Sequence, residues 1–218
     1  MPFHLAKFHL AKKLLLAALL MAGAGNAVAG ERRHASLSPV LVPHLQAVGG
    51  TSAPIGYVRF CAESKVDCVA EGDLIPQVPL DAPHLSTLDQ VNRSFNTSIA
   101  PVTDMDHYGE VERWAYPDDG KGDCEDYVLA KRRALINLGW PASVLLITVV
   151  RDKEGDGHAV LTVVTDRGDV ILDNQENEIL PWQDTGYRYV KRQSQGDPTL
   201  WVSLGDTRSP PVVGGGGR

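Results

Sequence analysis

Between Ser143 and Asn174 the chain runs through three segments rich in β-branched residues, "SVLLITVVRD", "HAVLTVVTD" and "VILDN", parted only by "KEGDG" and "RGD". Apolar runs of this length, bounded by Gly and Asp clusters, read as successive antiparallel strands. Connectors so short leave no room for the crossover that parallel neighbours need. The later "YRYVKRQS" and "LWVSL" add two strand candidates. Helical spacing is confined to the part before this sheet. In "HLSTLDQVNRSFNTSI", Leu85, Leu88, Val91, Phe95 and Ile99 fall on one helix face, with Ser86 as the expected cap. A second helix is expected from about Asp123, where acids cluster in the first turn and Tyr127, Ala130, Ala134, Leu135 and Leu138 recur at helical spacing. Gly139 ends it and Pro141 follows. Helices first and sheet afterwards is the order of an α+β fold.

The ends of the chain read differently. Lys7, Lys12 and Lys13 precede the apolar run "LLLAALLMAGA" and the small-residue stretch Ala27 to Ala29. That is the pattern of a secretory signal peptide over residues 1–29. Residues 30–53 are expected as an extended lead-in, 54–206 as one domain, and 207–218, with "SPPVVGGGGR", as a tail without structure. No later run is long and apolar enough for a membrane span of roughly 20 residues. The expectation is an exported, periplasmic protein that is not itself a membrane protein. Without the leader, 18 basic residues face 27 acidic ones. An excess of nine negative charges argues against a nucleic-acid partner.

Three cysteines occur, Cys61, Cys68 and Cys124. In an oxidising compartment the short "CAESKVDC" loop makes Cys61 and Cys68 the natural disulfide, which leaves Cys124 unpaired. An unpaired cysteine is either a buried, inert side chain or a reactive thiol. Its place at a helix start favours the second, because unpaired backbone N–H groups and the positive end of the helix dipole lower a thiol's pKa. A nucleophile also needs a base and an orienting group. His158 lies where a hairpin turn becomes a strand, and Asp173 at the end of the next strand. A two-residue turn at Arg167 and Gly168 would pair Thr162 with Asp173 and leave His158 four residues away, too far for a hydrogen bond. A bulge, a wider turn, or another orienting residue such as Asn174 would resolve this.

"VNRSFN", "WAYPDDGKGDCEDYVLAKRRALINLGWP" and "GDGHAVLTVVTDRGDVILDN", in that order, resemble the bacterial transglutaminase-like cysteine proteinases, the family that includes the LapG-type periplasmic proteases. The resemblance implies a papain-like or transglutaminase-like fold, in which a helix packed on an antiparallel sheet presents the cysteine. It implies Cys124 as nucleophile, His158 as general base and acid, and Asp173 as orienter. It further implies a calcium ion at the acids around the cysteine, with Asp123, Glu125 and Asp126 as ligands. Clustered carboxylates suit Ca²⁺ chemically, although acids in a first helical turn are also favourable without a metal. The implied substrate is a protein such as a surface adhesin, with an inner-membrane receptor as regulator. A transglutaminase or amidase, using the same acyl-enzyme, and a non-catalytic calcium-responsive binding module are the alternatives.

Overall fold

The computed structural model describes residues 44–70, 72–206 and 213. The expected leader, the first part of the lead-in, and the tail apart from Val213 lie outside the described residues. In chain order the elements are β1 (Gly49–Thr51), α1 (Ile55–Glu63), α2 (Ala82–Ser98), β2 (Ala100–Pro101), α3 (Asp104–Tyr108), β3 (Lys121–Gly122) and α4 (Cys124–Asn137). The sheet strands β4 (Leu145–Arg151), β5 (Gly157–Thr165), β6 (Gly168–Leu172), β7 (Leu180–Pro181), β8 (Arg188–Gln193) and β9 (Trp201–Ser203) follow. Seven strands form one antiparallel sheet in the order β1-β9-β8-β4-β5-β6-β7, with β2 and β3 as a separate parallel pair. The fold is α+β, with α4 packed on β5.

Burial along β4, β5 and β6 is continuous rather than alternating. Such runs arise where both faces of a sheet are covered. On one face Leu161, Val163 and Leu172 join Leu88 of α2 and Val128, Leu129 and Leu135 of α4 in the main core. On the other, Val150, Val160, Ile171 and Tyr189 pack with Leu45, Trp182 and Tyr187. The buried Asp169 ties residues 44–45 to that second face. It accepts from His44 Nδ1 at 2.7 Å, from Leu45 N at 2.9 Å and from Arg192 at 3.0 Å. Part of the expected lead-in is therefore structured, and β1 extends the sheet by pairing with β9.

Two helix boundaries follow from local chemistry. Asp81, not Ser86, caps α2: its carboxylate accepts from His84 N at 3.0 Å, and Pro83, which needs no N–H partner, fits the first turn. This moves the helix start upstream of the expected one and leaves Leu85 exposed. At the other boundary, α4 begins at Cys124 with Asp123 as its N-cap, and Gly139, at φ +90°, turns the chain away as its spacing predicts. Cys61 and Cys68 form a disulfide, and Cys124 is free and buried.

Candidate active site

The approach to Cys124 is fixed by backbone. Ala100 N donates to Gly120 O at 2.8 Å and Val102 N to Gly122 O at 3.0 Å, which anchors the segment entering α4. Gly122 must be glycine, since a Cβ there would lie 2.6 Å from Asp126 Oδ2 and 2.7 Å from Asp126 Cβ. Cys124 Sγ then rests against the start of β5, accepting from Ala159 N at 3.2 Å while its own thiol donates to Glu125 Oε2 at 3.1 Å. The sulfur therefore touches the peptide leading out of His158. Cys124 is 5% exposed and His158 2%.

His158 Nε2 lies 2.9 Å from Asp173 Oδ1. Burial opposes ionisation of Asp173, but the charge and hydrogen bond of His158, with hydrogen bonds from Tyr187 and Gln175, outweigh it and hold its pKa below the ordinary value. An ionised carboxylate only accepts, so the Nε2 nitrogen carries the hydrogen and Nδ1 is left to receive a proton. The structure thus brings His158 and Asp173 into contact and sets the Cys124 sulfur against the N–H of the residue that follows His158.

The register that makes this contact differs from the expected one. The turn sits at Asp166 and Arg167, so Thr165 pairs with Gly168 and Leu161 with Leu172. One further step along that register puts Asp173 across from Val160, two residues from His158 on the same strand face. A diagonal neighbour of this kind is within reach of two long polar side chains. No bulge between β5 and β6 is required; the sheet's irregularity lies instead between β4 and β8, at Val149 and Val150.

The acidic surroundings of the cysteine are denser than the sequence suggests. Carboxylate oxygens of Asp104, Asp123 and Glu125 all lie within 4.8 Å of one another. Asp126 stands beside this group, because one further residue along the helix turns its side chain towards Ala115, whose N–H it accepts at 2.8 Å. Asp104, brought in by α3 from 19 residues upstream, occupies the third place and also accepts from Arg113 N. Burial, reinforced by the neighbouring acids, raises Asp123 to about 7 and Asp126 to about 8, and pushes Glu125 well above its ordinary value. Burial likewise raises Asp104 and Glu112. None of these five forms an ion pair with a lysine or arginine among the described residues. Asp123 Oδ1, Glu125 Oε1 and Asp126 Oδ2 are buried with no partner. Buried carboxylates with orphaned oxygens and no lysine or arginine ion pair fit a hard divalent cation, and an all-oxygen donor set suits calcium or magnesium rather than a thiophilic metal.

The same acids reverse the expectation for the thiol. Burial first, then the charges of Glu125 and Asp123, push Cys124 well above a free cysteine, against the single N–H of Ala159. A helix dipole contributes only a fraction of a charge, which two nearby carboxylates in a dry site overwhelm.

Several residues around the pair gave no local signal in the sequence. Asn92 Oδ1 accepts from Asp173 N at 3.1 Å and from Lys131 Nζ at 2.8 Å, and Asn96 Nδ2 donates to Asp173 O at 2.8 Å. Their i, i+4 spacing in "VNRSFN" was the one available clue. Tyr187, within the expected strand segment "YRYVKRQS", donates to Asp173 Oδ2 at 2.6 Å. Trp114 is buried in the core, its Nε1 donating to Glu112 at 2.9 Å. Trp201 and Tyr189 are buried in the core.

A sequence model of the family "bacterial transglutaminase-like cysteine proteinase BTLCP" matches residues 47–209. No curated protein matches the chain. Among solved structures, Legionella pneumophila LapG is 29% identical, with 56% of this chain and 71% of that one covered at a TM-score of 0.47. Calcium-bound LapG from the same organism is 23% identical, covering 75% and 95% at 0.48, and the EGTA-treated form is 27% identical, covering 54% and 66% at 0.45. At TM-scores below 0.5 these likenesses add nothing to the fold described above.

Proposed function

The chain belongs to the bacterial transglutaminase-like cysteine proteinase family, and from that premise we propose that it is an endopeptidase acting through Cys124, His158 and Asp173. The observation that carries this reading is the 2.9 Å contact of His158 with Asp173, with the Cys124 sulfur 3.2 Å from the N–H of the next residue, Ala159. In the reaction, His158 Nδ1 takes the thiol proton as the sulfur attacks a peptide carbonyl carbon. The imidazolium then gives that proton to the departing amine, leaving a thioester. Water attacks the thioester, His158 takes its proton, and the carboxylic acid product leaves as the thiol is restored. The N–H of Cys124, at a helix start, is the natural donor to the oxyanion.

Asp104, Asp123 and Glu125 would hold a calcium ion, with Asp126 beside them. Bound there, it would supply positive charge against the carboxylates that oppose a thiolate at Cys124. The reading extends to an exported, periplasmic setting, a surface adhesin as substrate and an inner-membrane receptor as regulator. The setting rests on the leader-like first 29 residues and the substrate and receptor on the family resemblance. No helix among the described residues is long and apolar enough to cross a membrane.

The deciding experiment compares cell-surface proteins released by the wild type with those retained by Cys124→Ala. Release by the wild type alone supports the endopeptidase. Incorporation of a labelled amine into a glutamine-rich acceptor without chain cleavage would replace it with a transglutaminase.

A further inference from the structure

Asp173 has two oxygens to satisfy, and they are satisfied by different parts of the fold. Oδ1 accepts from His158 Nε2 at 2.9 Å and from Gln175 N at 2.9 Å. Oδ2 accepts from the Tyr187 hydroxyl at 2.6 Å. Tyr187 also meets the other member of the pair: its ring stands edge-on to the His158 imidazole, centroids 5.7 Å apart at 79°. One side chain, just ahead of β8, thus touches both partners.

Its backbone is held in turn. Gly186, at φ +74°, makes the turn that delivers it, and Tyr187 N donates to Thr185 Oγ1 at 3.2 Å. That buried hydroxyl is itself tied to Trp182 O at 2.9 Å and to the Tyr189 hydroxyl at 3.1 Å. Asp173 and Tyr187 together wall a cavity of about 140 Å³ shared with Gln175, Glu176 and Thr185. Without the phenol, Oδ2 would lose its partner and face that space, where water would compete for the carboxylate.

We propose that Tyr187 is a positioning residue of the reacting site: its hydroxyl fixes the Asp173 carboxylate so that Oδ1 faces His158, and its ring edge keeps water from the pair. The proposal rests on the reading of Cys124, His158 and Asp173 as the triad. Burial, and then the negative charge of Asp173, push the Tyr187 hydroxyl up, so it remains a donor at every pH at which the enzyme would work.

The test uses the full chain and iodoacetamide as the probe of Cys124. His158→Gln establishes the premise, since a wild-type alkylation rate in that variant would remove the triad reading itself. Tyr187→Phe keeps the ring and deletes only the hydroxyl. It is expected to slow alkylation about tenfold, the effect of losing one hydrogen bond to a charged group, with cooperative unfolding retained and a shifted low-field proton resonance of the His158 Nε2–H. In an Asp173→Asn background the same substitution should change the rate less than twofold, because the two residues act as one unit. A packing role alone predicts equal effects in both backgrounds and an unmoved resonance. If His158→Gln slows the reaction while Tyr187→Phe leaves rate and resonance at wild-type values, the proposal is overturned and the triad reading survives.

Discussion

Lys131 is fully buried in α4, its ammonium held by one hydrogen bond to Asn92 Oδ1 at 2.8 Å, with the Tyr127 ring 5.7 Å away. Burial pulls its pKa from 10.5 down to about 7, with Asp173 alone opposing the shift. Because the folded pKa is the lower of the two, the unfolded chain binds more protons between about pH 7 and 10.5. Stability therefore rises with pH through that window, and below it the full cost of burying the charge is present. A shift of this size corresponds to a cost on the order of 5 kcal/mol at pH 6, falling to about 1.5 at pH 9.5. Lys131→Met keeps the length of the side chain and removes the charge, at the loss of about 1 kcal/mol for the hydrogen bond to Asn92. The variant should be more stable than wild type at pH 6 by about 4 kcal/mol, an advantage that shrinks to about 0.5 kcal/mol by pH 9.5. Urea unfolding of both proteins at several pH values, with chelator present throughout, measures this. Subtracting one protein from the other cancels the titration of the acids and tyrosines they share. A difference that stays constant from pH 6 to 9.5 would refute the reasoning, since it would mean that Lys131 keeps its solution pKa inside the fold.

Saturating calcium should raise the unfolding free energy, by about 2.7 kcal/mol at one hundred times the dissociation constant. Asp123→Asn or Glu125→Gln should abolish most of that gain while stabilising the metal-free protein, both read by thermal melts with and without chelator. Gly122→Ala should destabilise by about 1–3 kcal/mol, because the added methyl displaces Asp126; urea unfolding would show it, and a wild-type midpoint would contradict the packing described. Replacing Cys61 and Cys68 together by alanine should cost about 2.5 kcal/mol, the loop-closure value for so short a loop, and leave iodoacetamide labelling of Cys124 unchanged.

The strands and the two long helices were readable because each carries its own signal. β4, β5, β6, β8 and β9 lie on β-branched or aromatic runs, and α4 begins with acids in its first turn and ends where Gly139, at φ +90°, turns the chain. Elements whose stability comes from elsewhere were not readable. β1 is a three-residue strand with every residue exposed, defined by pairing with β9 some 150 residues later. α1 follows Pro54 with no side-chain cap, so nothing local marks its beginning.

Sequence by itself determined that a helix start would present a lone cysteine ahead of an antiparallel sheet, and that a histidine and an aspartate would end up at strand boundaries of that sheet. These follow from propensity, turns and spacing, which act over a few residues. Only the tertiary structure decided how the groups meet. The turn at Asp166 and Arg167 set the register that joins His158 to Asp173, α3 carried Asp104 to the acids beside Cys124, and the loop before β8 laid Tyr187 across the pair. Charge and burial at a site are sums over residues distant in the chain. A thiol that its helix position would activate is instead pushed up by burial, which elements distant in the chain supply, and then by the charges of Glu125 and Asp123 on either side of it.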